Sequence, residues 1–168
     1  MAIRVANIID FDIADSLDGI CVSLWTAGCP HRCPGCHNSE LWDGNNYPEK
    51  SKEEILERIK SAMIKSDIKK SFSILGGEPL IPENVEDLSW IISEFHKQFP
   101  SSTIYLWTGY TLDELLERKD KNLKKIFKNI NYLIDGRFDI NKKMTSLELR
   151  GSSNQNIYKR TFFGLRKI

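Results

Sequence analysis

The stretch Gly28-Cys29-Pro30-His31-Arg32-Cys33-Pro34-Gly35-Cys36-His37 holds three of the four cysteines of the chain within eight residues. Just before it, Cys21-Val22-Ser23-Leu24-Trp25-Thr26-Ala27 reads as a strand that stops at Gly28. Beyond it, a run rich in Gly, Pro and Asn reaches Pro48 and reads as one long loop. Loops of that length in compact domains are usually functional or disordered, and this one carries the cysteines. A strand that delivers a cysteine loop is the unit around which the remaining elements arrange themselves.

Downstream, Ile55, Leu56, Ile59, Ala62 and Met63 recur at helical spacing and predict an amphipathic helix over 51–64. Ser51 followed by Glu54 supplies a capping box for its free N–H groups. Phe72-Ser73-Ile74-Leu75 is a short apolar strand stopped by Gly76-Gly77. Leu88, Ile91, Ile92, Phe95 and Phe99 mark a helix over about 83–99. Thr103-Ile104-Tyr105-Leu106-Trp107 is strand-like. Thr111 with Glu114 is a second capping box, and Leu115, Leu116, Leu123, Ile126, Phe127 and Ile130 continue a helical stripe. Tyr132-Leu133-Ile134 is a last short strand, and the polar tail from Asn141 shows no readable element.

Alternating strands and helices imply βαβ units and a parallel sheet. Right-handed crossovers then place every strand's C-terminal end on one side, where ligands of α/β proteins bind. The punctuated motifs follow those ends: Gly28 to Cys36, Gly76 to Pro79, Thr108 to Tyr110 and Asp135 to Phe138. About four strands, with a further one at the N-terminus, are too few to close an eight-stranded barrel. The expected fold is α/β, an open, partial (β/α) barrel with mainly parallel strands. One domain over 1–168 is expected, with its core at about 18–140 and a tail at 141–168.

Charge excludes some partners. Lys plus Arg number 24 against 23 Asp plus Glu, a net charge of +1, so there is no long-range pull toward nucleic acid or an anionic membrane. Asp10, Asp12 and Asp15 interrupt the N-terminal apolar residues, leaving no signal-peptide core. No run approaches the roughly 18–20 apolar residues of a membrane span. A cytoplasmic protein is the default expectation. Five lysines over 119–128 read first as a solvated helix face and second as a docking surface. Trp25, Trp42 and Trp107 read as core or loop-packing residues.

The cysteine spacing is C-x3-C-x2-C. Soft thiolates favour iron–sulfur clusters, zinc or copper(I). An ordinary electron-transfer cubane takes one cysteine per iron. Three cysteines leave one iron free to bind a substrate. Other readings stay open on spacing alone. Cys33-Pro34-Gly35-Cys36-His37 also fits haem attachment, though that chemistry normally needs export. Zinc held by three cysteines and His31, His37 or His96 is the stronger rival. Three buried free thiols suit poorly a loop this rich in Pro and Gly. Cys21, inside a strand, reads as a small apolar residue.

Gly76-Gly77-Glu78-Pro79 directly follows a strand, and glycines there let the backbone approach a ligand closely. The cysteine loop followed by this turn resembles the radical S-adenosylmethionine superfamily. Within it, the chain resembles the activating proteins of anaerobic ribonucleoside-triphosphate reductases. The resemblance rests on Gly28 to Asn38, Trp42-Asp43, Gly76-Gly77-Glu78-Pro79-Leu80, Trp107-Thr108-Gly109-Tyr110, Asp135-Gly136-Arg137-Phe138 and Arg150-Gly151-Ser152-Ser153-Asn154-Gln155. Gly35 stands where the superfamily often has an aromatic residue, with His37 following, and Cys21 stands where many relatives carry a basic one.

The resemblance implies a [4Fe-4S] cluster on Cys29, Cys33 and Cys36, with S-adenosyl-L-methionine chelated to its open iron in a radical S-adenosylmethionine-type barrel. It places Gly35, Cys36 and His37 along the bound S-adenosylmethionine and Gly76, Gly77 and Glu78 at its methionine end, with Thr108 and Asp135 as weaker candidates. Reductive cleavage would give methionine and a 5′-deoxyadenosyl radical, which takes hydrogen from a glycine of the reductase large subunit. A flavodoxin- or ferredoxin-type donor of low potential would supply the electron; neither nucleic acid nor membrane is implied. Rival activities are a small-molecule radical enzyme of the 7-carboxy-7-deazaguanine synthase type, an activator of another glycyl-radical enzyme such as pyruvate formate-lyase, and a non-catalytic zinc module.

Overall fold

The computed structural model describes residues 2–168. In chain order the elements are β1 (Ala2–Asp12), β2 (Cys21–Thr26), β3 (Glu49–Ser51), α1 (Lys52–Met63), β4 (Ser71–Gly76), α2 (Pro82–Gln98), β5 (Ile104–Trp107), α3 (Leu112–Glu117), α4 (Lys121–Asn129), β6 (Tyr132–Asp135), β7 (Asn156–Thr161) and β8 (Gly164–Lys167).

Side-chain alternation along the central strands decides which face of the sheet is covered. Val22 and Leu24 of β2, Phe72 and Ile74 of β4, Ile104 and Leu106 of β5 and Leu133 of β6 join one large core. All four helices add to that core: Ile55 and Ile59 from α1, Leu88 and Ile92 from α2, Leu115 from α3, Leu123 and Ile126 from α4. Burying each such side chain contributes about 1.5–3 kcal/mol, more than helix propensity supplies. Tyr105 and Ile134 belong instead to a second cluster with Ile157, packed by Trp107 and Tyr132. The helices therefore lie on one face of the sheet.

Strand order is β3-β1-β2-β4-β5-β6-β7-β8, an open mixed sheet. The central strands β2, β4, β5 and β6 are parallel. The flanks correct the expectation of a mainly parallel sheet: β1, β3, β7 and β8 all pair antiparallel. Sequence reasoning missed β7 and β8 because only Ile157 of β7 is buried, so the polar tail hides its strand. Strand β3 is three residues long, too short to leave a period.

Two further details differ from the sequence reading. Ser51 Oγ accepts from Glu54 N at 3.1 Å, whereas both halves of the capping box form only at Thr111 and Glu114. The stripe after Thr111 splits into two helices at Lys119, whose φ is 52°, and Asp120 caps the second by accepting from Asn122 N at 2.7 Å. The long loop also folds. Short 3-10 turns at Ser39–Leu41 and Gly44–Asn46 carry it back, so that Leu41 O accepts from Gly28 N at 2.7 Å and Trp42 O from Cys29 N at 3.1 Å. Among the described residues, no helix is long and apolar enough to cross a membrane.

Candidate iron–sulfur site

Register brings the motifs together. Thr26 at the end of β2 pairs with Gly76 at the end of β4, and Trp107 with Ile134. The loops that follow surround one cavity, lined by Cys29, Cys33 and Cys36 with Gly76, Gly77, Trp107, Thr108, Gly109, Gly136, Arg137, Phe138 and Gln155. All three thiols are free and part-exposed. Burial pushes the Cys29 thiol above its ordinary range, with the Glu78 charge adding to the rise, and burial does the same to Cys33. Among the described residues, no three His, Cys, Asp or Glu side chains converge as tightly as a mononuclear metal site requires.

Cys21 lies at the opposite end of β2. It is fully buried, and desolvation pushes its pKa up to about 12. It packs as the small apolar residue its strand position suggests.

The Gly-Gly-Glu turn grips the cysteine loop. Gly77 N donates to Thr26 O at 2.8 Å and Glu78 N to Gly28 O at 2.9 Å, extending the pairing beyond the strand. A Cβ on Gly77 would stand 2.5 Å from Gly28 O, so only glycine permits this approach. Glu78 is wholly buried. Its Oε2 meets His31 Nε2 at 2.7 Å and accepts from Gly109 N at 2.6 Å. Its Oε1 accepts from Thr108 Oγ1 at 2.7 Å and Leu80 N at 2.9 Å. One carboxylate thus joins the cysteine loop to the end of β5. Gly109 leaves room for the His31 ring, which a Cβ would meet at 2.4 Å, and Tyr110 stands edge-on to that ring at 4.5 Å.

A second brace comes from the tail. Gln155 Oε1 accepts from Gly151 N at 2.9 Å and Ser152 N at 3.1 Å, while its Nε2 donates to Gly136 O at 2.9 Å. Asn154 Nδ2 donates to Arg137 O at 2.8 Å. These bonds hold the loop after β6, whose Phe138, with Ile140 beyond it, packs against Gly35. Gly35 has φ of 77°, and a Cβ there would lie 2.8 Å from Ile140 Cδ1.

The cavity lining thus unites Cys29, Cys33, Cys36, Gly76 and Gly77. Gly35 lies against Ile140 and Phe138, His37 sits 6.0 Å from the Phe138 ring, and Glu78 is buried behind the site. His96 is in the last turn of α2, away from the cysteines. Asp135 serves as a structural anchor: it accepts from Leu112 N at 2.8 Å and Asn156 N at 3.3 Å. Sequence reasoning missed the joining role of His31 and the Gln155 brace. The only signal for either was a polar residue inside a glycine-rich motif.

A family profile described as a 4Fe-4S single cluster domain matches residues 18–158. The chain is 36% identical over 147 residues to the anaerobic ribonucleoside-triphosphate reductase-activating protein of Pasteurella multocida, covering 86% of this chain and 90% of that protein. It is 34% identical over 139 residues to the protein of the same name from Escherichia coli K12, covering 81% and 86%. The protein of that name from enterobacteria phage T4 is 34% identical over 143 residues, covering 85% and 86%. The chain belongs to the anaerobic ribonucleoside-triphosphate reductase-activating protein family. As a member of that activating-enzyme family it is an iron–sulfur oxidoreductase. The matched region begins before β2 and ends within β7, so it takes in every loop that lines the cavity of this activating-family chain. Three free thiols on glycine-rich backbone fit a thiolate-held cluster.

Proposed function

We propose that this chain generates the glycyl radical of an anaerobic ribonucleoside-triphosphate reductase by cleaving S-adenosyl-L-methionine. The observation that carries the reading is the convergence of three free cysteines and the Gly76-Gly77 backbone on one cavity at the strand ends. A [4Fe-4S] cluster bound there would supply the electron that splits S-adenosylmethionine into methionine and a 5′-deoxyadenosyl radical, the species that takes hydrogen from a glycine of the reductase.

The residues of the chain divide the remaining tasks. Cys29, Cys33 and Cys36 hold iron. The main chain of Gly76, Gly77 and Glu78 meets the methionine end, since the Glu78 carboxylate is already bonded to four protein groups. Gly35, Cys36 and His37 run along the rest of the ligand, and Phe138 and Trp107 shield it from water. The helices on one face and the open sheet support a partial barrel of the radical S-adenosylmethionine type formed by one domain, 1–168, with space for a protein loop at its mouth. A flavodoxin- or ferredoxin-type protein is the proposed electron donor and the cytoplasm the proposed location.

The test is electron paramagnetic resonance on the reductase large subunit after anaerobic incubation with this chain, reductant and S-adenosylmethionine. A glycyl radical that requires all three components is expected. A loaded chain that leaves the reductase silent, or a signal that persists without S-adenosylmethionine, contradicts the proposal.

A further inference from the structure

The alternation that sends Leu24, Ile74 and Leu106 to the helices sends Trp25, Leu75 and Trp107 to the opposite face of the sheet. Register sets them side by side. Asn7 of β1 pairs with Trp25, Trp25 pairs with Leu75, and Ile74 pairs with Leu106, one residue before Leu75 and Trp107. One row of side chains therefore crosses these strands at their cysteine end. Leu75 and Trp107 line the cysteine cavity. Asn7 and Trp25 line a separate groove of about 330 Å³ beside it.

The two spaces share Asn38. Asn38 follows the third cysteine by two positions, and its N–H donates to Cys36 Sγ at 3.4 Å. Asn7, Ile9 and Trp25 form one wall of the groove, and Asn38, Leu41 and Tyr47 of the returning cysteine loop form the other. Trp25 Nε1 donates to Ser23 Oγ at 2.9 Å, which fixes the indole against the sheet. Strand β3 pairs with β1 only at residues 2–4, so among the described residues no strand closes the groove on that side. A passage thus leads past β1, over Trp25 and into the cysteine cavity.

The lining selects a chemistry. It holds no Lys or Arg, and Glu40 is its one charged residue. A nucleotide or other phosphate ester would find no cation there. Asn7 Oδ1 accepts from Ile8 N at 2.9 Å, which leaves its Nδ2 to donate, and the Asn38 carboxamide has no protein partner among the described residues. Such groups complement the N–H and C=O of a peptide main chain, which need partners once covered. Ile9, Leu41 and the indole leave the rest of the contact to apolar side chains.

We propose that this groove seats the reductase segment that flanks the radical glycine. The segment lies extended, neutral or basic in charge, entering over β1 with the glycine delivered to Leu75 and Trp107. The inference rests on the function proposed above, which requires one protein segment inside the cysteine cavity. Continuity with that cavity assigns the groove to this segment rather than to another partner. Gly35 and His37, given above to S-adenosylmethionine, lie toward Phe138 after β6, so the two ligands arrive from opposite flanks. Strand spacing puts Asn7 about 10–14 Å from Leu75 and Trp107, a span of roughly three or four extended residues.

The test uses the intact, cluster-loaded chain with the reductase large subunit, without oxygen. Asn7 is exposed, so Asn7→Cys and Asn7→Trp are expected to fold and to keep the iron content of the parent. Cys21 is buried and does not compete for a benzophenone coupled to the new thiol. Photo-cross-links are expected about two to six residues from the radical glycine. Asn7→Trp fills the groove and should raise the reductase concentration for half-maximal radical formation about tenfold or more. Cross-links elsewhere on the reductase, or none while the parent still forms the radical, overturn the inference alone. Parent-like half-saturation in Asn7→Trp does the same. So does a higher half-saturating concentration of S-adenosylmethionine with that of the reductase unchanged, which would assign the groove to the nucleoside. A parent chain that forms no glycyl radical overturns the proposed function and this inference together.

Discussion

His31 Nε2 lies 2.7 Å from Glu78 Oε2, and both side chains are almost entirely buried. This contact joins the cysteine loop to the Gly-Gly-Glu turn, so the two motifs are one mechanical unit. Glu78→Ala would strand the partners of a buried carboxylate. It is expected to cost about 3–5 kcal/mol in anaerobic denaturant unfolding. His31→Gln, which keeps a donor, should cost less than His31→Ala and should release iron to a chelator more slowly. Equal iron release from the two variants would remove the hydrogen bond from the account.

Gly109→Ala probes the same unit from β5. Its Cβ would displace the His31 ring rather than any ligand. The variant should lose about 1–3 kcal/mol and lose iron faster, as overpacking would produce. Gly77→Ala should be worse, because its Cβ meets backbone at Gly28 that has no rotamer to change. A Gly77→Ala protein as stable as its parent would show that the turn is looser than described.

Gln155 holds the loop after β6 through both ends of its amide. Gln155→Ala leaves Gly151 N, Ser152 N and Gly136 O without that partner. It should cost about 1–3 kcal/mol. Proteolytic cleavage near residues 136–140 should accelerate. Cleavage at the parent rate would show that Asn154, together with Ser152 Oγ, which accepts from Asp139 N at 3.1 Å, suffices to hold the loop.

Stability should also respond to pH at the far end of the sheet. Burial, with Asp12 adjacent, pushes the Asp15 carboxyl up to about 7. Asp12 is held below its ordinary value. Burial opposes this, but the hydrogen bond with Asp15 and the N–H groups of Ala14 and Asp15 outweigh it. An unfolded Asp titrates near 3.9. Between about pH 4 and 7 the folded chain therefore holds an extra proton at Asp15, and stability from this group falls as pH rises through 7. Asp15→Asn should raise the melting temperature at pH 8 relative to the parent, with the gain shrinking toward pH 5. A pH-independent difference would contradict the assignment.

Much of this architecture is legible in the sequence because the central strands are buried on both faces or alternate cleanly. Val22 and Leu24, Phe72 and Ile74, and Ile104 and Leu106 mark their strands on composition alone. The flanks are less legible. A strand at the N-terminus is expected and is found as β1, though two irregularities in its pairing with β2 blur its bounds, whereas β7 buries only Ile157 and β8 no side chain, and both are missed. The cysteines are legible because thiolate spacing is itself chemistry. Glu78 is legible as important but not in its role: a carboxylate after two glycines suggests a ligand contact, and only the folded chain reveals four protein donors around it. His31 is harder still, since between two cysteines it resembles a metal ligand.

The most direct measurement is anaerobic reconstitution with iron and sulfide, followed by reduction with dithionite in the presence of S-adenosylmethionine. The account predicts about four irons per chain and formation of 5′-deoxyadenosine, both lost together when Cys29, Cys33 or Cys36 is replaced by alanine and both retained in Cys21→Ala. A fully loaded parent chain that yields no 5′-deoxyadenosine, even with the reductase present, would contradict it.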